Sequence, residues 1–440
     1  MNRTPSAAHL ATPLAQVAMH DPDQPRPSRV GVIDIGSSTA TLALYQGGSG
    51  GFVDRVDQVG QPLRLMRALA GGKVLTRDAI TRTVDAMRTF HRRAQAFGAE
   101  RLDAFATSAV RDATNRGALV AAIRAATGIE LVVISGEDEA RAAAASAVNT
   151  LPLVDGVVVD IGGGSIQLAQ VHARRVRDVV SLPLGSLRLT DALLRGDPPT
   201  GAEMVALRRH ADAALRAHPW LRDIGRPVVV GIGGTIRALA KLRRRARVWP
   251  VQHGHGFLLT LDDVLASVDV LSRMPQSARV DVPGLASHRV DTIVAGAVVV
   301  ASVMRVIGAD SMLVSTYGLR EGFAAAALHG EGALRDVREA GLRGRFPCPG
   351  GAARRASVRA IRLFDRSRRR HGLSPADRPA LAAATWIAAT DASDPLRVLR
   401  EPLQGHTQAE VLTAARLLGV LPGEIPAALQ DLFAASLASD

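Results

Sequence analysis

Runs of valine and isoleucine alternate along this chain with stretches in which alanine and arginine recur at helical spacing. Residues 30–46 contain two such runs, joined by the turn Gly36-Ser37-Ser38, and residues 156–182 contain three. Short apolar runs that alternate with helical stretches are typical of α/β proteins. The pattern therefore predicts two α/β sheets of related design.

The interval between these units and the C-terminal part of the chain predict further elements. We expect helices over 76–97 and 115–126, strands over 102–107 and 130–135, and a helix that begins after Ser135. Residues 381–389 and 407–418 carry the clearest helical patterns near the C-terminus. The chain is predicted to divide, in order, into a disordered tail, an N-terminal lobe, a second lobe, a basic linker and a helical appendage (1–29, 30–150, 151–330, 331–374 and 375–440).

Length and composition set the class of protein. With 440 residues, 47% of them hydrophobic, the chain can bury large cores in two or three domains. The longest apolar stretch, 293–304, is closed by Arg305 and is too short to cross a bilayer, so no membrane partner is expected. Residues 1–29 lack the continuous apolar core of a signal peptide. The single cysteine, Cys348, excludes an internal disulfide and predicts a cytoplasmic location.

The chain carries a strongly positive charge, much of it concentrated in one segment. The formal net charge is +13, and residues 341–371 hold ten arginines against one aspartate. A solvated basic surface or linker is the simpler interpretation, and a patch that attracts a polyanion is the alternative. Aromatic residues make up 3% of the chain, which disfavours a base-stacking surface for nucleic acid. A phosphate polymer requires no stacking.

The tripeptide Asp-Ile-Gly occurs twice, at Asp34 and at Asp160, each time at the end of a predicted strand. This places a carboxylate at the edge of a sheet, followed by small residues that let backbone N–H groups approach an anion. Mg²⁺ typically takes one or two carboxylates and completes its coordination with water and phosphate oxygens. Asp34 and Asp160, facing each other across a cleft, are therefore predicted to hold Mg²⁺.

A third glycine loop supports this interpretation. Residues 228–242 run from a strand through Gly231, Gly233 and Gly234 into a helix, whose N-terminus can bind an anion. One such loop alone is usually structural. Three loops, two of them with the same tripeptide, favour a phosphate site.

These motifs and four others resemble, in order, the exopolyphosphatase and guanosine pentaphosphate phosphohydrolase (Ppx/GppA) family over residues 30–330. The resemblance implies two ribonuclease-H-like lobes of the actin, sugar-kinase and heat-shock ATPase superfold, around a cleft that binds phosphate and Mg²⁺. It also implies release of terminal orthophosphate from polyphosphate or from a guanosine tetra- or pentaphosphate. The motifs are DIGSST (34–39), ATSAVRDATN (106–115), ISGEDEA (134–140), DIGGGS (160–165), GIGGT (231–235), HRVDTIVAGA (288–297) and YGLREG (317–322).

The resemblance assigns roles to individual residues. Glu139 matches the family's catalytic glutamate, which positions or deprotonates the attacking water, and Arg111 matches an arginine that contacts phosphate. The alternative for Glu139 is a purely structural helix start, because Ser135 and Asp138 have capping-box spacing, and both roles can hold at once. Asp160 is expected to act through the metal. The expected phosphate contacts are Gly36, Ser37, Gly162, Gly163, Gly164, Ser165, Gly233, Gly234 and Thr235.

Other candidates are interpreted as structural. His253 and His255 lie in a glycine-rich loop, and two such histidines are more often structural than metal ligands. Arg320 and Glu321 are expected to pair with each other at a helix start rather than to act on substrate.

The chain departs from the family pattern at three places. Ser38 and Thr39 replace Asn-Ser in the first loop, and the last hundred residues lack an adjacent His-Asp pair. Gln167 stands where the family has glutamate. An amide can still offer a carbonyl oxygen to Mg²⁺, but it cannot accept a proton. Gln167 is therefore predicted as a metal ligand that costs rate or metal affinity without ending catalysis.

The predicted function is Mg²⁺-dependent release of terminal orthophosphate from inorganic polyphosphate. A guanosine pentaphosphate phosphohydrolase, a kinase or ATPase of the same superfold, and a non-catalytic polyphosphate or alarmone sensor are the alternatives. The basic segment favours the longer polyanion, and the resemblance implies a homodimer.

Overall fold

The structure is a computed structural model. It describes residues 27–48, 51–69, 72–225, 227–330, 336–348, 351–390 and 393–438. The predicted disordered tail, 1–29, lies outside the described residues as far as residue 26. Two mixed β-sheets with packed helices, followed by a helical C-terminal region, make up the described chain.

The first lobe contains a five-stranded sheet with the order β3-β2-β1-β4-β5. Its strands are β1 (Arg29–Ile35), β2 (Thr39–Gly47), β3 (Val53–Pro62), β4 (Arg101–Ala106) and β5 (Leu131–Val133). Strand β1 is the central strand, because it pairs antiparallel with β2 on one side and parallel with β4 on the other. Its apolar residues are buried on both faces. The helices are α1 (Leu65–Ala68), α2 (Arg77–Phe97), α3 (Ser108–Asp112), α4 (Arg116–Thr127) and α5 (Gly136–Thr150).

The second lobe repeats this plan around a six-stranded sheet with the order β10-β11-β9-β6-β7-β8. Its strands are β6 (Gly156–Ile161), β7 (Ile166–His172), β8 (Arg175–Leu182), β9 (Val228–Ile232), β10 (Phe257–Thr260) and β11 (Ser311–Val314). Strand β6 is antiparallel to β7 and parallel to β9, as β1 is to β2 and β4. The helices are α6 (Ser186–Leu193), α7 (Gly201–Arg216), α8 (Gly234–Ala246), α9 (Leu261–Ser272), α10 (Gln276–Arg279), α11 (Ile293–Ile307) and α12 (Leu319–His329), with short 3₁₀ turns at Pro219–Leu221 and Ser287–Arg289.

Two helices connect the lobes by packing on the opposite sheets. Helix α5 follows the first sheet but lays its alanine face on β6, β7 and β8 of the second. Helix α12 follows the second sheet but packs on β1 and β2 of the first, where Phe323 stacks on Phe105 with ring centroids 4.5 Å apart. This exchange ties the lobes together behind the cleft.

The long apolar run of residues 293–304 forms α11, which is buried almost all round in the core of the second lobe. A helix that is apolar on every face requires such a position. Among the described residues, no helix combines the length and apolar character needed to span a membrane.

The C-terminal region is a helical domain with its own core. It contains α13 (Val337–Arg345), α14 (Ala352–His371), α15 (Asp377–Ala388), α16 (Arg397–Arg400), α17 (Gln408–Leu417) and α18 (Ala427–Leu437). The prediction of a basic linker over 331–374 is therefore wrong where the structure describes it. Ala353, Ala356, Ala360 and Phe364 recur every three or four residues and bury one face of α14, while its arginines cover the other.

The other predicted segments form elements close to those expected. Residues 76–97, 115–126 and the segment after Ser135 form α2, α4 and α5. Strand β3 was not predicted, because it is an exposed edge strand with many polar residues and resembles a loop in sequence.

Candidate active site

The two Asp-Ile-Gly loops meet at one cavity of about 170 Å³ between the lobes. Asp34 and Asp160 are each the penultimate residue of the strand that leads into the loop, β1 and β6. The third glycine loop, at the start of α8, reaches the same cavity. Eight of the nine predicted phosphate contacts line it, and Thr235 lines an adjoining cavity.

The loops have similar turns and lie close together. The N–H of Gly36 donates to Thr39 O at 3.0 Å, and the N–H of Gly162 donates to Ser165 O at the same distance. A Cβ on Gly164 would lie 2.3 Å from Ser108 Oγ, so glycine lets the second loop approach the first lobe closely there. Gly233 has a φ of 100°, which favours glycine at the entry to α8.

Asp34 is half-buried, and its two carboxylate oxygens have different surroundings. Its Oδ2 lies 3.3 Å from Nη1 of Arg320, while its Oδ1 has no hydrogen-bond partner among the described residues. Burial raises the pKa of Asp34, and the charge of Arg320 opposes that shift.

Asp160 faces the cavity without a direct cationic partner. Across the described chain, no hydrogen bond or ion pair is found to its carboxylate. Burial raises its pKa to about 6, against the opposing charge of Arg237. A bound cation would favour the charged form of this half-buried carboxylate.

These residues fit a Mg²⁺ ion. The described residues contain no group of three or more His, Cys, Asp or Glu side chains that could hold a metal, so the protein would contribute the two aspartates. Mg²⁺ commonly binds through one or two carboxylates and keeps water and phosphate oxygens in its other positions. The unpartnered Oδ1 of Asp34 and the free carboxylate of Asp160 suit that coordination.

Glu139 lies in the first turn of α5 and lines the cavity at 7% exposure. The predicted helix cap is present, since Ser135 Oγ accepts a hydrogen bond from the N–H of Asp138 at 3.1 Å. Nη1 of Arg111 donates to Glu139 Oε2 at 2.6 Å and to Ile134 O at 2.9 Å. Burial raises the pKa of Glu139 to about 8, although Arg111 opposes the shift. A carboxyl group with this pKa acts as a base in its deprotonated form, whose population grows as the pH rises towards that value.

Gln167 lies directly opposite Asp160 in the register between β6 and β7, and it contacts Glu139. Its Nε2 donates to Ser165 Oγ at 2.8 Å, to Ser181 Oγ at 3.0 Å and to Glu139 Oε2 at 3.3 Å. Metal binding would therefore use its carbonyl oxygen. That role stays a prediction.

Arg237 is a cavity residue that was not predicted. It lies one turn into α8, near the third glycine loop, and within the described chain it forms no hydrogen bond or ion pair. Burial lowers its pKa to about 10, so it remains charged at neutral pH. Its spacing of three and four residues from the loop glycines was the available sequence signal, because such positions share a helix face.

The expected direct ion pair between Arg320 and Glu321 is not found among the described residues, although the charge of Glu321 opposes the effect of burial on the pKa of Arg320. Arg320 pairs with Asp34, whereas Glu321 caps the N-terminus of α12 and accepts hydrogen bonds from Tyr45 and Arg55 at 2.8 and 3.2 Å. Both residues line the cavity. Sequence proximity suggested a direct ion pair, whereas Arg320 contacts Asp34 of β1 and Glu321 contacts Tyr45 of β2.

Two further cavities adjoin the central one. The first, beyond Ser37 and Thr39, is lined by Arg64, Arg67 and Arg289. The second lies on the side of Glu139 and is lined by Arg111, Ser135, Ser181 and Arg188, among others. The central cavity therefore opens on two sides of the phosphate loops.

Comparison with known proteins gives consistent matches. The model of the Ppx/GppA phosphatase family matches residues 46–331. Exopolyphosphatase 1 of Mycobacterium leprae is 32% identical over 69% of this chain and 90% of its own length. Exopolyphosphatase 2 of Mycobacterium tuberculosis is 29% identical over 68% and 98%.

Solved structures share the fold. The Ppx/GppA family member of Aquifex aeolicus superposes with a TM-score of 0.60 at 29% identity, over 68% of this chain and 97% of that one. An exopolyphosphatase of Cytophaga hutchinsonii gives a TM-score of 0.64 at 24% identity, over 69% and 99%. The predicted fold class is confirmed: two ribonuclease-H-like lobes of the actin, sugar-kinase and heat-shock ATPase superfold, followed by a C-terminal helical region.

Proposed function

The chain belongs to the Ppx/GppA phosphatase family, and from this premise we propose that it is an exopolyphosphatase that releases terminal orthophosphate from inorganic polyphosphate. As a member it is a hydrolase of the polyphosphatase or GppA-like kind. The observation that carries the narrower proposal is that three glycine loops and the carboxylates of Asp34, Glu139 and Asp160 converge on one cavity. The names of the mycobacterial relatives agree with it.

The neighbouring cavities favour a linear phosphate chain. The cavity beyond Ser37 carries Arg64, Arg67 and Arg289, and its described lining includes no Phe, Tyr or Trp. A guanine ring is usually held by apolar or aromatic surface, whereas a phosphate polymer needs only cations and N–H donors. The lining therefore supports polyphosphate over guanosine pentaphosphate.

Hydrolysis of a phosphoanhydride requires charge neutralisation, a water in line with the leaving group, and a group that orients the water. We assign to Glu139 the role of accepting a proton from the attacking water. Arg111 would hold the Glu139 carboxylate in place. Arg237 and the backbone N–H groups of the glycine loops would stabilise charge on the terminal phosphate. Mg²⁺, when bound to Asp34 and Asp160, would supply further neutralisation of the phosphate oxygens.

Orthophosphate release from three substrates tests the proposal. The purified protein is incubated with long-chain polyphosphate, guanosine pentaphosphate or ATP, each with Mg²⁺ and with EDTA. We expect Mg²⁺-dependent release from polyphosphate. Faster release from guanosine pentaphosphate would assign the alarmone enzyme instead, and release from ATP alone would indicate an ATPase. Binding of polyphosphate without release would indicate a sensor.

The cytoplasmic location and the homodimer stay predictions. The single cysteine supports a reducing compartment. Light scattering coupled to gel filtration would measure the mass of the assembly, and a monomeric mass would contradict the dimer.

A further inference from the structure

The helical C-terminal domain (336–438) lies beyond the family match, which ends at residue 331, yet it is anchored to both lobes. One short segment, 403–408, which leads from α16 into the first residue of α17, supplies anchors to each lobe. The N–H of Gln408 donates to Gly256 O at 2.9 Å in the second lobe. The N–H of Gly405 donates to Thr150 O, at the end of α5, at 2.8 Å.

Gln404 extends the same segment to the first lobe. Its Nε2 donates to Val53 O, at the start of β3, at 3.1 Å. Gln404 is 1% exposed and lines a small cavity together with Tyr317 and Glu321. Because Gln404 and Tyr317 line the same cavity, the two side chains are neighbours; burial raises the pKa of the Tyr317 phenol, and the Gln404 amide opposes that shift. A buried amide with such partners holds them in one arrangement, because losing it would leave a buried carbonyl without its donor.

Tyr317 is held from the second lobe as well. It is 4% exposed, and its ring meets the ring of His255 edge-on with centroids 4.8 Å apart. His255 in turn lies 2.8 Å, through Nε2, from Thr150 O, the carbonyl that also accepts from Gly405. The C-terminal domain, α5 and the second sheet therefore meet around Tyr317.

Tyr317 begins the segment that enters the active-site cavity. Gly318, Leu319, Arg320 and Glu321 all line that cavity. Arg320 pairs with Asp34, and Glu321 accepts from Tyr45 of β2. The segment is short, and the N–H of Gly318 is bound to Glu321 Oε2 at 2.7 Å. A displacement of Tyr317 would therefore shift Arg320 relative to Asp34.

We propose that Gln404 is a positioning residue for the catalytic cavity. It ties the C-terminal domain to Val53 and Tyr317, and through Tyr317 it sets Arg320 against Asp34. The kinetic consequence rests on the proposed function, because it is measured as orthophosphate release. The domain that lies outside the family match is then part of the catalytic unit.

The test is Gln404→Leu, which keeps the approximate size of the side chain and removes its hydrogen bonds. We expect kcat on polyphosphate to fall about tenfold, since a small misplacement of a catalytic group is costly, while KM changes less. The matched control is Trp386→Phe, which removes the bond from Trp386 Nε1 to Phe346 O within the core of the C-terminal domain. It should lower the melting temperature similarly and leave kcat unchanged. An equal loss of kcat in the control would overturn the proposal.

A double-mutant cycle and hydrogen exchange complete the test. If Gln404 acts through Arg320, the effects of Gln404→Leu and Arg320→Lys on kcat should not add, and additive effects would contradict that route. Amide exchange measured by mass spectrometry should rise in residues 316–321 in Gln404→Leu but not in Trp386→Phe. Amide hydrogen exchange is measured without turnover. It therefore tests the positioning role even if the wild type released no phosphate and the proposed function failed. Unchanged exchange would reject the role.

Discussion

The two Asp-Ile-Gly loops have the same tripeptide and similar turns, yet their carboxylates have different surroundings. Asp34 forms an ion pair with Arg320 of α12, which lies near the C-terminal end of the residues that match the family. Asp160 has no direct cationic partner within the described chain. The residue opposite Asp34 in its sheet is Thr41, whereas the residue opposite Asp160 is Gln167. The duplicated motif thus supplies two similar frames, and the neighbours of each frame decide what its carboxylate can do.

This difference predicts that the loops are not interchangeable. Half of the Asp34 carboxylate is directed at a protein cation, whereas the Asp160 carboxylate is available to a ligand. Glu139 stands outside both loops and contacts the second one through Gln167. The site is therefore asymmetric in charge although it is built from a repeat.

The largest effect should come from Glu139. Replacement by Gln should lower kcat by at least roughly 100-fold, because an amide cannot accept the proton of the attacking water. Polyphosphate binding, measured by equilibrium dialysis, should remain close to that of the wild type. Retained turnover would remove Glu139 from the proposed mechanism and return it to the role of a helix start.

Next in size should be a difference between the two aspartates. Asp160→Asn should raise the Mg²⁺ concentration needed for half-maximal activity more than Asp34→Asn does, because Asp34 already gives part of its charge to Arg320. Magnesium titrations of phosphate release by the two variants measure this. Equal shifts in the two variants would contradict the inferred difference between Asp34 and Asp160.

The pH dependence of kcat/KM should follow the ionisation of the buried Glu139 carboxyl group. Burial raises the pKa of Glu139 to about 8, and only the deprotonated form accepts a proton, so kcat/KM should increase as the pH rises through that value. Arg111→Gln removes the cation that opposes the shift, and should move the midpoint to higher pH. A midpoint that moves down, or not at all, would contradict the assignment of Arg111.

The smallest effect should come from Gln167. Gln167→Glu adds a negative charge beside Asp160 and should raise activity a few-fold, roughly, by strengthening metal binding. The new carboxylate would also lie near Glu139 and raise its pKa further, so the rates are compared above the pH midpoint. Gln167→Leu is the control and should lower activity. No gain in Gln167→Glu would show that this position matters little to the metal.

Local patterns were sufficient for the strands next to the glycine loops, for the loops themselves and for the helix that carries Glu139. Each of these depends on residues close in sequence, such as the apolar run of β6 or the cap at Ser135. Arg320 and Gln404 could not be placed in this way, because their partners lie 286 and 351 residues distant. The basic segment was misassigned because the abundance of arginine obscured the buried face of α14 formed by Ala353, Ala356, Ala360 and Phe364.

The amino-acid sequence alone determined the α/β class, the repeated carboxylate loops and the identity of the chemical groups that a phosphate site needs. Backbone turns and strand ends are short-range properties, so a few residues specify them. The tertiary structure brought together side chains that are distant in sequence. Arg320 faces Asp34, Gln167 contacts Glu139, and the C-terminal domain reaches the cavity that Tyr317 lines. These pairings arise when apolar helix faces are buried across lobes, and the energy of a charge depends on the neighbours that burial brings to it.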